Sequence, residues 1–409
     1  MRCVRFLLIA VCALVIWQAP VLNAAVHSHA RTHAMVHAAY ASHLRAHPMV
    51  HSAYGSHLRA HPMAHGIYHA SYAVSHRSSR LSSHLGYGLG SLDPSEGDQA
   101  QFDDPIVREA ALDALGHING SILAVDPRDG RVLTIVNQKM AFSPGFEPCS
   151  TIKPVIAMAA LQKGLINRDS MLPVGGRTSM DLTEALAHSN NAFFEQLGER
   201  LGFNTVREYA SLFGIGEKAG YDLPGENAGT LPSEEPAHGG VARMSSFGEG
   251  IRITPLQMAS MTAAVANGGT MFYLQYPQSR EDANNFTPRV KRQLDIATQL
   301  PDLRDGMLGA VLYGTAKRSY DPDGAQALGK TGTCNDETVG GRLGWFTSYL
   351  DDANARIALV VLLRGYSGSI SGPGAAEVAG RVYKELREHH YASPALPTDL
   401  ASTLSPFAN

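Results

Sequence analysis

The sequence predicts a mixed α/β domain over residues 95–390. Five short apolar segments have the length and composition of β-strands, and they lie near residues 120–126, 131–137, 327–333, 344–351 and 355–365. Two further segments have the apolar spacing of amphipathic helices, one within "DPIVREAALDALG" and one over 374–390. Hydrophobic residues make up 44% of the 409-residue chain, which is enough to build a buried core.

Each element follows from local chemistry. One face of the first predicted helix collects the apolar residues Ile106, Ala110, Leu112 and Leu115. The turn sequence "DPRDG" separates the first two strands. The last strand, "ARIALVVLLRG", is almost continuously apolar, which is typical of a strand covered on both faces. We expect the helix over 374–390 to pack on the resulting sheet, and residues 391–409, with three prolines, to form a frayed tail.

The first 24 residues resemble a signal peptide. Arg2 and Arg5 precede an apolar run from Phe6 to Trp17, and Ala24 offers a small residue near a cleavage point. The run is shorter than the roughly 20 residues that cross a bilayer. An uncleaved membrane anchor remains the alternative, because apolar residues resume after Gln18. Either interpretation predicts an exported protein of the periplasm or cell envelope.

Residues 25–94 form a low-complexity segment that holds 13 of the 18 histidines. Two 14-residue units, "HAAYASHLRAHPMV" and "HSAYGSHLRAHPMA", repeat within it. Few large aliphatic residues are present, so we expect disorder. Histidines four residues apart could bind a metal ion loosely, and below about pH 6.5 the segment would become cationic and could associate with an anionic wall or membrane. The net charge of the chain is −3, and this suggests no nucleic-acid partner.

Three short motifs carry the chemistry. "CSTIK" places Ser150 three residues before Lys153, "SNN" begins at Ser189, and "KTGT" begins at Lys330. Each motif alone has an ordinary explanation, because "STIKP" can begin a helix, "SNN" can cap one, and "KTGT" can be a strand followed by a turn. Their order and spacing are more specific than any single motif.

A serine with lysine three residues later, then S-x-N, then K-T-G resembles the signature set of the penicillin-binding proteins and serine β-lactamases. Three flanking segments resemble the same family: "FGIGEKAGYDLPGENAGTLP" (213–232), "FGEGIRITPLQMASMTAAVANGG" (247–269) and "MLGAVLYGTAKR" (307–318). The similarity covers roughly residues 100–390 and is greatest to the transpeptidase domains of penicillin-binding proteins. It implies a five-stranded antiparallel sheet flanked by helices, a helical subdomain, and an active site in the cleft between them.

The resemblance implies a role for each motif residue. Ser150 would be the nucleophile and Lys153 its base, with the pKa of Lys153 lowered by burial and by the nearby charge of Lys330. Ser189 would carry a proton to the leaving amine, and Asn191 would hold Lys153 and the substrate amide. Substrate binding would involve Thr331, Gly332 and Thr333 on the K-T-G strand. The backbone N–H groups of Ser150 and Thr333 would form an oxyanion hole.

The function implied is a D,D-transpeptidase that acts on the D-Ala-D-Ala stem peptides of peptidoglycan and is acylated by β-lactams, with no cofactor and no metal. Class A β-lactamases carry a water-activating glutamate in an E-x-x-L-N stretch, and class D enzymes carry a Tyr-Gly-Asn signature. Neither pattern stands in this sequence. A D,D-carboxypeptidase, a class D- or class A-like β-lactamase, and a non-enzymatic β-lactam sensor remain alternatives.

Cys149 precedes Ser150, and Cys334 follows the K-T-G-T motif. Because both motifs would line one cleft, the two cysteines are expected to lie close together. A subset of class A carbapenem-hydrolysing β-lactamases has a disulfide at the equivalent positions. The resemblance therefore implies a Cys149–Cys334 disulfide, with a free buried thiol beside Ser150 as the alternative.

Overall fold

The computed structural model describes residues 93–350 and 357–391. The predictions for residues 1–24, for nearly all of 25–94 and for 392–409 lie outside the described residues. The helices are α1 (Pro105–Leu115), α2 (Gln138–Ala141), α3 (Lys153–Gln162), α4 (Leu182–Ala187), α5 (Asn191–Leu201), α6 (Phe203–Leu212), α7 (Gly240–Phe247), α8 (Pro255–Ala266), α9 (Arg280–Asn284), α10 (Leu300–Leu312) and α11 (Gly372–Glu388). Single 3-10 turns span Cys149–Ile152 and Lys317–Ser319.

The strands are β1 (Gly120–Val125), β2 (Val132–Val136), β3 (Leu172–Gly175), β4 (Thr178–Met180), β5 (Thr270–Phe272), β6 (Val290–Gln293), β7 (Ala327–Asp336), β8 (Gly341–Leu350) and β9 (Ala358–Gly365). Five of them form an antiparallel sheet in the order β2-β1-β9-β8-β7. The pairs β3–β4 and β5–β6 form two small hairpin-like sheets. The five-stranded antiparallel sheet and the five strand positions read from the sequence are confirmed.

The continuous apolar run of β9 has a direct structural reason. This strand lies between β1 and β8, so both of its faces are covered. Val360 and Leu362 belong to the core shared with the helical region, whereas Leu359 and Val361 belong to the core under α1 and α11. Because successive side chains of a strand point to opposite faces, such a central strand needs apolar residues at every position.

Helix α8 belongs to the core that the sheet shares with the helical region. Thr254 and Gln257 build a capping box at its start, where each side chain bonds to the other's backbone, and Pro255 occupies the first turn. The residues from Pro255 to Val265 are buried all around the helix, in agreement with its largely apolar sequence. The "TPLQ" segment is therefore a helix start that anchors the helical region to the sheet.

The 17-residue helix α11 covers the opposite face of the sheet, as predicted for the segment over 374–390. Ser371 caps its first turn by accepting a hydrogen bond from the Gly374 N–H. Within the two described ranges, no helix combines the length and the apolar character needed to cross a bilayer.

Candidate active site

Ser150 lies in the 3-10 turn that runs directly into α3. This turn places Lys153 at the start of the helix, with its Nζ 3.0 Å from Ser150 Oγ. Both side chains are buried, with 8% of Ser150 and none of Lys153 exposed. Cys149, just before Ser150, has a φ of 51°, in the left-handed region that L-residues with a side chain seldom adopt. Strained backbone of this kind concentrates at functional sites.

The Lys153 amine is surrounded by oxygen atoms. Besides Ser150 Oγ, its Nζ contacts the Ser189 carbonyl at 2.7 Å, Ser189 Oγ at 3.1 Å and Asn191 Oδ1 at 2.7 Å. Burial lowers the pKa of Lys153 from 10.5 to about 7, while the negative charge of Glu195 acts in the opposite direction. A lysine with this pKa is neutral in a large fraction of molecules near pH 7, so it can accept a proton from a hydroxyl.

The three residues of the "SNN" motif have different structural roles. Asn190 caps α5, with its Oδ1 accepting a hydrogen bond from the Phe193 N–H. Ser189 has a φ of 56° and so turns the chain sharply between α4 and α5. That turn and the cap leave the Ser189 and Asn191 side chains beside Lys153. The ordinary explanation of the motif, a helix cap, is therefore true of its middle residue.

Lys330 reaches the same hydroxyl from the other side. Its Nζ lies 2.7 Å from Ser189 Oγ and 2.9 Å from the carbonyl of Thr331. The side chain is fully buried, and burial together with the charge of Lys153 lowers the pKa of Lys330 well below its ordinary value. Ser189 Oγ therefore connects two amines, and this arrangement can pass a proton between them.

The chain matches the family model for the penicillin-binding protein transpeptidase domain over residues 120–386. The chain belongs to this transpeptidase family. Stage V sporulation protein D of Bacillus subtilis is 29% identical over 252 residues, covering 54% of this chain and 39% of that protein. Peptidoglycan D,D-transpeptidase FtsI of Escherichia coli K12 is 24% identical over 310 residues, covering 66% and 52%. The matched region thus spans about half or less of these relatives' length.

Solved structures show the same fold. The transpeptidase domain of Burkholderia pseudomallei penicillin-binding protein 3 superposes with a TM-score of 0.62 at 20% identity, covering 76% of this chain and 100% of that one. The D,D-transpeptidase domain of an Eggerthella lenta peptidoglycan glycosyltransferase gives a TM-score of 0.56 at 21% identity, covering 70% and 82%. At these identities the likeness concerns the fold.

In this transpeptidase domain, one face of β7 meets the turn that carries Ser150. Alternate residues of β7 share a face, so Lys330, Gly332 and Cys334 point the same way. Cys334 and Cys149 form a disulfide with their Cα atoms 5.6 Å apart, as the motif positions and the resemblance predict. A Cβ on Gly332 would lie 2.9 Å from the Pro148 carbonyl oxygen. The absent side chain of Gly332 therefore allows the serine-bearing segment to approach the strand closely.

Thr331 and Thr333 lie on the opposite side of the strand. The hydroxyls of Thr331 and Thr315 are 2.6 Å apart, and Thr333 Oγ1 accepts a hydrogen bond of 2.7 Å from the Gly372 N–H. The first contact ties β7 to the segment that follows α10, and the second ties it to the start of α11. Contact of Thr331, Gly332 and Thr333 with substrate remains a prediction.

Three further residues near Ser150 lie outside the three motifs. The Ser150 hydroxyl donates to the Ser246 carbonyl at 3.4 Å, and Ser246 Oγ in turn donates to Glu195 Oε1 at 3.2 Å. Glu147 is half-buried three residues before Ser150, and burial, aided by the negative charges of Glu249 and Glu337, raises its pKa to about 7. Counting helical turns from Asn191 would have found Glu195, because the two residues are four apart on α5.

His188, next to Ser189, takes part in a separate contact. Its Nε2 lies 3.3 Å from Glu184 Oε2, and its ring packs against the ring of Tyr313 with 5.7 Å between centroids. Tyr313 also donates a hydrogen bond of 2.8 Å to Glu184. These contacts give His188 a structural role between α4 and Tyr313.

Proposed function

We propose that this chain is a serine D,D-transpeptidase that acylates itself on Ser150 with the D-Ala-D-Ala ends of peptidoglycan stem peptides. The observation that carries the proposal is the contact of Lys153 Nζ with Ser150 Oγ, Ser189 Oγ and Asn191 Oδ1 at 2.7 to 3.1 Å. The names of relatives such as peptidoglycan D,D-transpeptidase FtsI support the same activity.

Acylation begins with the serine hydroxyl. Neutral Lys153 takes the proton of Ser150 as Oγ attacks the carbonyl carbon of the penultimate D-Ala. The negative charge that develops on the carbonyl oxygen is stabilised by the backbone N–H groups of Ser150 and Thr333. Loss of one such donor typically costs about 3–4 kcal/mol of transition-state stabilisation.

The leaving D-Ala needs a proton. Ser189 Oγ is the suitable donor because it lies 3.1 Å from Lys153 Nζ and 2.7 Å from Lys330 Nζ. Ser189 gives its proton to the departing amine and recovers one from Lys153. The negative charge of the approaching substrate favours the protonated form of Lys330. Protonated Lys330 then attracts the terminal carboxylate of the peptide or the carboxylate of a β-lactam.

The position of β7 supports peptide binding along its open side. The strand is at the edge of the sheet and pairs with β8 on one side only. An extended stem peptide can add to such an edge through backbone hydrogen bonds. The same strand carries Lys330 and Thr333, so backbone pairing would align the scissile amide with Ser150.

The proposed location is outside the cytoplasm, in the periplasm or cell envelope. The signal-like residues 1–24 support it, as does the peptidoglycan named for the relatives. Association of the His-rich segment 25–94 with an anionic wall or membrane, or with loosely held metal ions, is a further part of the proposal. It rests on the sequence of that segment alone.

Labelling with a fluorescent penicillin tests the proposal. We expect a covalent label on the full chain that disappears in Ser150→Ala, together with D-Ala release and transfer of the acyl group to an added amine. The absence of any Ser150-dependent label would overturn the assignment. A sensor would keep the label but release no D-Ala, and a β-lactamase would hydrolyse the penicillin rapidly without acting on the peptide.

A further inference from the structure

Glu195 brings a carboxylate to the site that none of the three motifs supplies. It lies on α5 four residues after Asn191, so both residues occupy one face of the helix, a single turn apart. Asn191 contacts Lys153 Nζ at 2.7 Å. The Glu195 side chain is half-buried, so it is held by its surroundings yet still within reach of solvent.

Close packing of two helices places this carboxylate. A Cβ on Gly198 would lie 2.3 Å from Ser245 Oγ and 2.8 Å from the Val241 carbonyl, so α5 and α7 touch without a side chain between them. This approach brings Glu195 Oε1 within 3.2 Å of Ser246 Oγ. Ser246 is buried, which fixes the hydrogen bond that it donates.

Ser246 also connects Glu195 to the nucleophile. Its backbone carbonyl accepts from Ser150 Oγ at 3.4 Å, so a single residue separates the carboxylate from the serine oxygen. The charge of Glu195 also reaches Lys153, because it opposes the lowering of the lysine pKa. Glu195 is thus linked to the nucleophile through Ser246 and to the base through its charge.

We propose that Glu195 is a general base that activates water against the acyl group on Ser150, so that the site hydrolyses its own acyl-enzyme. This inference rests on the proposed function, because it needs the Ser150 ester as its substrate. The chemical class is an acyl ester derived from a D-Ala-D-Ala peptide or a β-lactam. A general base must reach its proton directly or through one water, which the half-buried carboxylate permits.

The step balances without any further reactant. The water oxygen bonds to the acyl carbon while one water proton goes to the Glu195 carboxylate. Lys153, which is neutral after acylation, receives this proton from Glu195 through solvent. The bond between the acyl carbon and Ser150 Oγ then breaks, and Oγ takes the proton from Lys153, which leaves Lys153 neutral and Glu195 ionised. The products are a carboxylic acid and the free serine.

Glu147 is the rival carboxyl, since it lies three residues before Ser150. The charges that act on it are those of Glu249, Glu337, Arg243 and Arg252. A pKa of about 7 would suit a general base near neutral pH, so the choice between the two carboxyls rests on their contacts. Glu195 alone of the two joins the Ser246–Ser150 contact chain, so the geometry favours it.

The test measures the lifetime of the acyl-enzyme in the full chain. The wild type, Glu195→Gln, Glu147→Gln and Glu199→Gln are labelled with a fluorescent penicillin, the free drug is removed, and the loss of label is followed. Gln keeps an oxygen that accepts from Ser246 but cannot take a proton at neutral pH. Glu199 is an exposed glutamate four residues further along α5, so its variant is a matched control for loss of charge.

We expect Glu195→Gln to acquire the label at a rate within threefold of wild type and to lose it at least about 100-fold more slowly, the lower end of a general-base contribution. Glu147→Gln and Glu199→Gln should lose it at the wild-type rate. Equal lifetimes in Glu195→Gln and wild type would overturn the inference while leaving acylation intact. A parallel fall in both rates would overturn it too, because Glu195 would then act through Lys153.

The same experiment distinguishes a failure of this inference from a failure of the proposed function. If the wild type takes up no Ser150-dependent label, the proposed function itself fails. A wild type that acquires the label and holds it as long as Glu195→Gln does refutes only the hydrolytic role. Partial recovery of label loss in Glu195→Asp, which shortens the side chain but keeps the carboxylate, would support it.

Discussion

The Cys149–Cys334 disulfide should stabilise the domain much more than it affects the chemistry. The bridge joins residues 185 apart in sequence. In the chain-entropy model, closing a loop of this length stabilises the folded state by about 5 kcal/mol, and measured values are commonly about 2–4 kcal/mol. We therefore expect Cys149→Ala with Cys334→Ala to lower the free energy of unfolding by about 2–5 kcal/mol. Alanine is preferred to serine because Cys149 is fully buried and a hydroxyl there could lose its partner.

Two other contacts should preserve the site when the bridge is absent. Lys330 Nζ holds Ser189 Oγ at 2.7 Å, and Gly332 lets the Pro148 carbonyl approach β7. We expect the acylation rate of the double variant to stay within about tenfold of wild type at 25 °C, where a factor of ten corresponds to about 1.4 kcal/mol. Activity should then be lost on heating at the lower unfolding temperature of the variant.

Trp345 supplies the assay. Its buried indole Nε1 donates to the Glu147 carbonyl at 2.9 Å, two residues from Cys149. Its fluorescence during guanidinium unfolding reports the midpoint and slope for the wild type, each single variant and the double variant. Either single variant removes the bridge, so each should cost about as much as the double. A free energy of unfolding within about 0.5 kcal/mol of wild type, the range of ordinary surface substitutions, would refute the reasoning.

Three further predictions follow from the site. The acylation rate should rise with pH through a midpoint near 7, because only neutral Lys153 accepts the serine proton. Stopped-flow measurement of acylation across this pH range checks the prediction. A midpoint that moves in Glu147→Gln would assign the titration to Glu147 instead. Ser189→Ala should slow acylation by about 10²- to 10⁴-fold, because it removes the hydroxyl that carries the proton. Asn190→Ala should lower the free energy of unfolding by about 1 kcal/mol through the lost cap of α5, and it should change the acylation rate by less than about threefold. Equal effects of the two variants on acylation would contradict the separate roles of Ser189 and Asn190. Gly332→Ala should slow acylation and lower the unfolding midpoint, since its Cβ would lie 2.9 Å from the Pro148 oxygen; an unchanged variant in both measurements would show that the segment can move aside freely.

The sequence alone determined the features that depend on local spacing. A serine and a lysine three residues apart on a helix lie on the same face, so the proximity of Ser150 and Lys153 could be predicted from the sequence. Apolar runs gave the five strands because a buried strand needs apolar side chains along its length. The Thr254–Gln257 box and the Asn190 cap likewise follow from residues only three apart.

Only the tertiary structure decided which distant groups share the site. Glu195 and Ser246 are 51 residues apart, and they meet because Gly198 lets α5 and α7 touch. Gly332 makes room for the segment that carries Ser150. The spacing of residues along the strand does not predict this contact, because it joins two segments far apart in sequence. The pKa values of Lys153 and Lys330 depend on burial by the whole fold. Local spacing fixes which face a side chain occupies, but its partner there is set by packing between elements far apart in sequence.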